Sequence, residues 1–273
     1  MPTVLITGTS TGIGLETALA AADEGWTTVA TMRDLSRADE LRSRGGGFPL
    51  DIRQLDVTDH DAVDAVVAGV VADHGTLDAV INNAGAAWVG TAETLSMDAF
   101  RSCMEVNYFG VVALTQASLP HLRASGGRLI TISSVGGVVG QPFNEAYCAA
   151  KFAVEGLLES LAPVAAALGV PVVIVEPGAV ASQFVANAGI DRPVDGPYAA
   201  LLAAYLERVT GAFANPQSAA DVAAVLVELL VEEDPPVRVQ TSETARAFAG
   251  LKLADLDGSA VQTLTRGWIA AGA

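Results

Sequence analysis

Two periods alternate along this chain. Short apolar runs recur, and between them lie longer stretches with an apolar residue every three or four positions. The first pattern predicts buried strands and the second amphipathic helices. Val4-Leu5-Ile6 opens the series as a strand, and Leu15 to Glu24, rich in Ala and Leu, reads as a helix ended by Gly25. Thr27 to Met32 predicts the second strand, and Ser36 to Arg44 a polar helix stopped by Gly45-Gly46-Gly47. Ile52 to Val57 predicts the third strand, Asp61 to Asp73 an amphipathic helix, and Leu77 to Ile81 the fourth strand. Met97 to Leu122 is one long helical region, and Arg128 to Ser133 predicts the fifth strand. A helix carrying Tyr147 and Lys151 runs to about Leu168, with a kink or early stop expected at Pro163, which removes a donor. Val170 to Glu176 predicts the sixth strand, whereas Ala181 to Pro197 has no clear period and reads as a mobile loop. Helices over Ala199 to Phe213 and Ala219 to Glu232 follow, then a short last strand over Val237 to Gln240. The tail from Thr241 to Ala273 carries Trp268 and no obvious strand.

Five to seven apolar strands alternating with helices predict an α/β fold with a parallel sheet covered on both faces. No linker, composition break or internal repeat divides the chain, so one domain over residues 1–273 is expected. Composition agrees: 51% hydrophobic and 17% charged residues describe a well-buried globular protein. The formal net charge of −16 repels nucleic acid and anionic membrane, and neither is an expected partner. No apolar run reaches the ~18–20 residues of a membrane span, and no charged-then-apolar leader precedes residue 3. Cys103 and Cys148 have no metal spacing and suit free thiols in a reducing compartment, so a cytoplasmic location is expected. His60, His74 and His121 are scattered, and no metal site is predicted.

The candidate chemistry sits where strands end. Thr7-Gly8-Thr9-Ser10-Thr11-Gly12-Ile13-Gly14 joins the first strand to the first helix. Glycines there let backbone approach a pyrophosphate, and the helix N-terminus offers free N–H groups. An acid at the end of the second strand selects NAD by binding the ribose 2′-hydroxyl. Here the strand ends in Met32-Arg33-Asp34. Arg33 suits a 2′-phosphate and points to NADP; the adjacent Asp34 leaves NAD open. Asp56 and Val57 close the third strand, and Asp56 either contacts adenine or caps the helix beginning near Asp59. Asn82-Asn83-Ala84-Gly85 follows the fourth strand, where Asn side chains can brace backbone beside an adenosine ribose. Asn107 lies within the long helical region, where an Asn commonly bonds locally. Ser134 stands after the fifth strand, and Tyr147 and Lys151 lie four residues apart on one helix face. A nearby ammonium lowers a phenol from about 10 and makes it a usable proton donor and acceptor. Ser134 would hold the same substrate oxygen.

Taken together, Thr7-Gly8-x-x-x-Gly12-x-Gly14, Asp56, Asn82-Asn83-Ala84-Gly85, Asn107, Ser134, Tyr147-x-x-x-Lys151 and Pro177-Gly178 resemble the short-chain dehydrogenases/reductases over roughly residues 3 to 240. The resemblance implies a single-domain Rossmann fold: a doubly wound parallel sheet of about seven strands. It implies Tyr147 as acid/base, Lys151 lowering the phenol and holding the nicotinamide ribose, Ser134 orienting the substrate oxygen, and Asn107 positioning Lys151 through water. Gly8, Ser10, Thr11, Gly12, Ile13, Gly14, Arg33, Asp56, Val57, Asn83, Ala84, Gly85, Pro177, Gly178, Val180 and Ser182 would line the cofactor, with Ser182 in the place of a frequent Thr. Ser134-Val-Gly-Gly, Pro142-Phe143-Asn144, Tyr147-Cys148-Ala149, Lys151-Phe152-Ala153 and Glu155-Gly156 look like the branch of 17β-hydroxysteroid dehydrogenase type 1 and retinol dehydrogenase, which prefers NADP. An apolar alcohol or ketone, steroid- or retinoid-like, is then the implied substrate, covered by residues 181–213 and the tail 241–273. One departure stands out: steroid enzymes of this branch often use a His in the C-terminal region, and no His follows His121. The family's habit of pairing through the helices of Asn107 and Tyr147 implies a homodimer or homotetramer. Ala149, Ala150, Ala153 and Gly156 would permit close helix approach there, and would equally suit packing on the sheet. Two rival readings are an NADP-binding regulator without turnover and a nucleotide-sugar epimerase or dehydratase.

Overall fold

The apolar runs lie side by side. In the computed structural model, which describes residues 1–184, 186–190, 195–212 and 216–270, the strands are β1 (Thr3–Thr7), β2 (Thr27–Met32), β3 (Leu50–Gln54), β4 (Ala79–Asn82), β5 (Trp88–Val89), β6 (Arg128–Ile132), β7 (Val172–Glu176), β8 (Val180–Ala181), β9 (Gly189–Ile190), β10 (Gln217–Ser218) and β11 (Arg238–Gln240). Seven of them form one parallel sheet in the order β11-β7-β6-β4-β1-β2-β3. Every residue of β1, β4 and β7 is buried, which is why these strands read as unbroken apolar runs.

Ten helices supply the covering layers among the described residues: α1 (Gly12–Asp23), α2 (Asp39–Arg44), α3 (His60–His74), α4 (Met97–Met104), α5 (Gly110–Ser125), α6 (Glu145–Ala166), α7 (Ala199–Ala212), α8 (Ala219–Val231), α9 (Glu243–Ala254) and α10 (Ser259–Ile269). One face of the sheet packs on α1, α2 and α8 through Leu15, Leu19, Leu41, Val222 and Leu226. The other packs on α3, α5 and α6 through Val63, Val67, Leu114, Leu122, Val154 and Leu158. The chain runs outward from β1 to β2 and β3, then crosses to β4 on the other side of β1. That reversal opens a crevice at the C-terminal ends of β1 and β4.

Several elements differ from the sequence expectation. The third strand is Leu50–Gln54 rather than Ile52 to Val57, because its partner β2 ends at Met32, which pairs with Gln54. Asp56 and Val57 therefore lie beyond the strand. The polar helix from Ser36 is broken at Ala38 into a 3-10 turn, Leu35–Arg37, and α2. Pro163 does not stop α6, which runs on to Ala166: the donor it removes falls in the last turn, and Ala162 and Ala165 stay buried on the sheet. The long region from Met97 is not one α-helix, since a π-turn, Glu105–Phe109, separates α4 from α5.

The stretch from Ala181 to Pro197 is not without regular structure. β8 pairs with β10, and β9 pairs with β5, each two residues long. Such short non-local pairs carry no sequence period. Val185, residues 191–194 and Phe213 lie outside the described residues. The tail, read only as lacking a strand, forms α9 and α10. Trp268 of α10 packs beside α7, where Phe143, Leu202 and Tyr205 are buried together with Val89.

Candidate active site

The Gly-rich turn follows from close backbone approach. Gly8 has φ +70, and a Cβ there would lie 2.9 Å from Ala84 Cα. A Cβ on Gly14 would strike the Asn83 amide and the Gly8 carbonyl. Asn83 accounts for that crowding: its Nδ2 donates to Thr7 O at 2.7 Å and to Gly8 O at 3.0 Å. The Thr7 hydroxyl accepts in turn from the Asn83 and Ala84 N–H groups, each at 3.0 Å. The turns after β1 and β4 are thus one hydrogen-bonded unit, as the bracing role of Asn83 predicts. Thr9 ties the same turn to β2, its N–H donating to Thr31 O at 3.0 Å.

The turn is open on its outer side. Thr11 caps α1 without a side-chain hydrogen bond, and the first turn carries no acidic residue. Its early N–H groups and positive dipole face outward, beside Ser10 and Ile13, which are partly exposed. Gly12 has φ +60, and a Cβ there would meet Ser182 Cβ at 3.1 Å, so the segment after Pro177-Gly178 and Val180 closes over the turn. A dinucleotide fits this donor set: glycines too crowded for a side chain, a free helix N-terminus and a facing hydroxyl.

At the end of β2, Arg33 is exposed. Asp34 accepts from Ser36 N at 2.9 Å as the cap of the 3-10 turn, and bonding to the Ser36 side chain and backbone, with the charges of Arg37 and Arg33, holds its carboxyl below the usual range. Asp56 does not cap α3. It accepts from Thr58 N and Oγ1, while Asp59 caps the helix by accepting from Ala62 N. The Val57 side chain belongs to the core, where a Cβ on Gly110 would lie 2.9 Å from its Cγ2.

The catalytic candidates meet across a second glycine. A Cβ on Gly136 would lie 3.3 Å from Tyr147 Cε1 and 3.4 Å from Ser134 Oγ. Ser134 Oγ accepts from Gly136 N at 3.0 Å, which fixes the hydroxyl beside the phenol. Ser133 points elsewhere: its hydroxyl is buried against Glu155 and Gly137. Lys151 is buried one turn from Tyr147, with Nζ 5.9 Å from the centre of the ring. That ammonium donates to Ile132 O at 2.8 Å.

The expected lowering of the phenol is absent in the protein by itself. Burial pushes Tyr147 well above its ordinary value, and the Ser134 hydrogen bond is the opposing influence. Lys151 is itself brought down to about 8 by burial, and only the charge of Glu155 pulls it back. Desolvation outweighs one buried cation here. Cys148 is likewise pushed up to about 11 and is no thiolate nucleophile.

Asn107 sits in the π-turn, where one extra residue per turn frees backbone carbonyls. Its Nδ2 donates to Ala86 O at 2.7 Å and Cys103 O at 2.9 Å, and its Oδ1 accepts from Ala86 N at 3.4 Å. Gly85 passes close, a Cβ there lying 3.1 Å from that Oδ1. The local bond to Cys103 is the one a helical Asn commonly makes; the brace across to Ala86 is not visible in sequence.

Other side chains near the site escaped sequence reading. Phe184 tilts over Tyr147 with ring centres 5.6 Å apart. Phe143 holds φ +61, the sole positive φ outside glycine among the described residues, and turns the chain into α6. Its ring packs on Tyr205, whose hydroxyl accepts from Asn144 Nδ2 at 2.5 Å. These contacts reach Tyr205 from 61 and 62 positions away, and no local pattern signals them.

Comparison with known proteins agrees with this geometry. The family model of short chain dehydrogenase matches residues 2–193. Retinol dehydrogenase 8 of Bos taurus is 36% identical over 272 residues, covering 94% of this chain and 86% of that protein. Human 17-beta-hydroxysteroid dehydrogenase type 1 is 35% identical over 276 residues, covering 94% of this chain and 82% of its own length. The crystal structure of a short-chain dehydrogenase from Streptomyces avermitilis superposes with a TM-score of 0.83 at 31% identity, covering 98% of this chain and 99% of that one. The chain belongs to the short-chain dehydrogenase/reductase family, oxidoreductases that interconvert alcohol and carbonyl groups with a nicotinamide cofactor.

Proposed function

We propose that the chain is an NADP(H)-dependent oxidoreductase acting on the carbonyl or alcohol carbon of an apolar, steroid- or retinoid-like substrate. The observation that carries this reading is the meeting of Ser134 and Tyr147 over the bare face of Gly136, one turn from Lys151. The nicotinamide, when bound, donates or accepts the hydride and in its oxidised form adds a positive charge. Gly8, Gly12, Gly14 and the first N–H groups of α1 hold the pyrophosphate. Arg33, exposed and with no hydrogen bond to Asp34 among the described residues, takes the ribose 2′-phosphate. Ser134 holds the substrate oxygen by hydrogen bond, and Tyr147 gives or takes the proton at that oxygen. Lys151 binds the nicotinamide ribose and supplies the positive charge that favours phenolate over phenol. Asn107 keeps the loop Gly85–Ala86 against α6's side of the crevice and positions Lys151 through water.

The aromatic cover of Phe143, Phe184, Tyr205 and Trp268 supports an apolar substrate, and so does the resemblance to a retinol and a hydroxysteroid dehydrogenase. The described parts of that region (181–184, 186–190 and 195–212) and of the tail (241–270) would form that cover. No helix is long and apolar enough to cross a membrane among the described residues. Cys103 and Cys148 are both free and buried, which suits a reducing, cytoplasmic setting. Exposed Phe109 of the π-turn and exposed Ala149, Phe152 and Gly156 of α6 support pairing of two chains as a homodimer, or as half of a homotetramer.

The test is Tyr147→Phe against a panel of apolar ketones with NADPH. Loss of turnover by a factor of about 10²–10⁴ with cofactor affinity retained is expected; turnover near that of the unaltered protein refutes the assignment.

A further inference from the structure

Beneath the site, α6 carries a second buried ionisable side chain that the reaction does not touch. Glu155 lies one helical turn beyond Lys151, on the same face, and each residue is 4% exposed. A buried carboxylate is costly unless it is paired. Arg238 Nη1 reaches from the edge strand β11 to 2.9 Å from Glu155 Oε2. The same guanidinium lies 2.9 Å from Glu176 of β7 and 2.9 Å from Glu159 of α6. Its hydrogen bonds go to Glu176 and Glu159, so Glu155 has Arg238 as a charge neighbour and not as a donor.

Both Glu155 oxygens and the Ser133 hydroxyl are buried without a hydrogen-bond partner among the described residues. They converge on Gly137, where a Cβ would lie 2.5 Å from Ser133 Oγ and 3.0 Å from Glu155 Oε1. One guanidinium shared by three carboxylates leaves this group short of positive charge. The remaining buried cation on that helix face is Lys151. Its ammonium has one hydrogen bond, to the neutral Ile132 carbonyl, and no carboxylate within ion-pair contact among the described residues.

We propose that Glu155 is the internal counter-ion of Lys151: its carboxylate, one turn along α6 and neighboured by Arg238, offsets the loss of water around the buried ammonium. This rests on the reading of Lys151 as the cation that serves Tyr147. The groups bearing on Lys151 are Tyr147 and Glu155 on its own helix and the Ile132 carbonyl of β6. Those bearing on Glu155 are Ser133, Glu176, Arg238, Glu159 and Lys151. Burial lifts Glu155 to about 7 and lowers Lys151 to about 8. Glu155 is a positioning residue: it acts on Lys151 and touches neither substrate nor cofactor.

Lys151 and Lys252 are the lysines of the chain, so lysine labelled with 13C at Cε gives one resonance for each, with Lys252 as internal reference. The experiment follows the Lys151 midpoint by NMR in the whole protein and in Glu155→Gln. A fall of about one pH unit is expected, with the alkaline limb of kcat/KM moving down by the same amount. Glu155→Asp, which keeps the charge, should recover most of the shift. Glu155→Met, apolar and of similar length, gives the same reading should the Gln variant fail to fold. A Lys151 midpoint within about 0.3 units of the unaltered protein, or a rate lowered equally at every pH, overturns the proposal. A shifted midpoint in a chain that turns over no carbonyl upholds the counter-ion and sinks the catalytic reading instead.

Discussion

Replacing Lys151 with methionine should make the fold more stable. Lys151 is buried, and its ammonium titrates at about 8 in the folded chain against 10.5 when free. The unfolded chain therefore binds this proton more tightly than the folded one. The resulting cost is full below about pH 8 and fades as pH rises towards 10.5. A gap of about 2.5 units is worth about 3 kcal/mol at 1.36 kcal/mol per unit. The methionine loses the bond to Ile132 O, about 1 kcal/mol for an uncharged amine, and regains apolar contact in its place. The net gain is about 2 kcal/mol at pH 7, or a rise in melting temperature of roughly 4–8 °C. Thermal unfolding followed by circular dichroism, without cofactor, reads this directly at pH 7 and again at pH 10, where the advantage should be gone. A variant that melts at or below the unaltered protein at pH 7 refutes the reasoning, as does an equal advantage at both pH values.

Gly14→Ala should lose about 2–4 kcal/mol, because its Cβ collides with the Asn83 amide and breaks the bonds to Thr7 and Gly8. Melting and NADPH fluorescence titration should fall together. Gly156→Ala, whose Cβ meets nothing within 4 Å, is the control and should gain up to about 1 kcal/mol. Arg33→Ala should weaken NADPH by about tenfold or more and leave NADH unchanged; equal loss of both separates Arg33 from the 2′-phosphate. Phe152→Glu should convert a dimer into a monomer by light scattering, and an unchanged mass removes the helix face as the interface.

Much of the fold was legible because its signals are local. Thr27–Met32 was read to the residue, since an apolar strand between turn residues needs no distant partner to be recognised. The order Gly8-Gly12-Gly14, Asn83, Ser134, Tyr147, Lys151 pointed to the C-terminal ends of the strands, because Gly8, Asn83 and Ser134 each follow a strand and Tyr147 and Lys151 lie in the first two turns of α6. How the region read as a substrate cover is held in place was not legible. β5 and β9 are two residues each, and Phe143, Asn144 and Tyr205 meet only through tertiary contact. The protonation of the site also escaped sequence. Four-residue spacing put Lys151 near Tyr147 but did not disclose the depth of burial that raises the phenol and lowers the amine. Glu155 was visible as part of a family resemblance and not as an acid, because its significance lies in Arg238, 83 positions later, whose name alone suggests an ordinary surface residue.

The π-turn at Glu105–Phe109 has a consequence for helical phase. Each residue advances an α-helix by about 100°, so the surplus residue rotates everything after it by that angle relative to everything before. α4 spends its phase on α6, burying Ala99 and Cys103 against Ala146 and Ala150. α5 spends its own on the sheet, burying Val111, Leu114 and Leu122. An uninterrupted helix could satisfy one of these surfaces and would carry the other round towards water. Asn107 sits at the pivot, with its amide bonded to Cys103 of α4 and to Ala86 after β4. A chain shortened between 105 and 109 by one residue other than Asn107 would keep its motifs, yet would have to choose which half of the molecule to abandon.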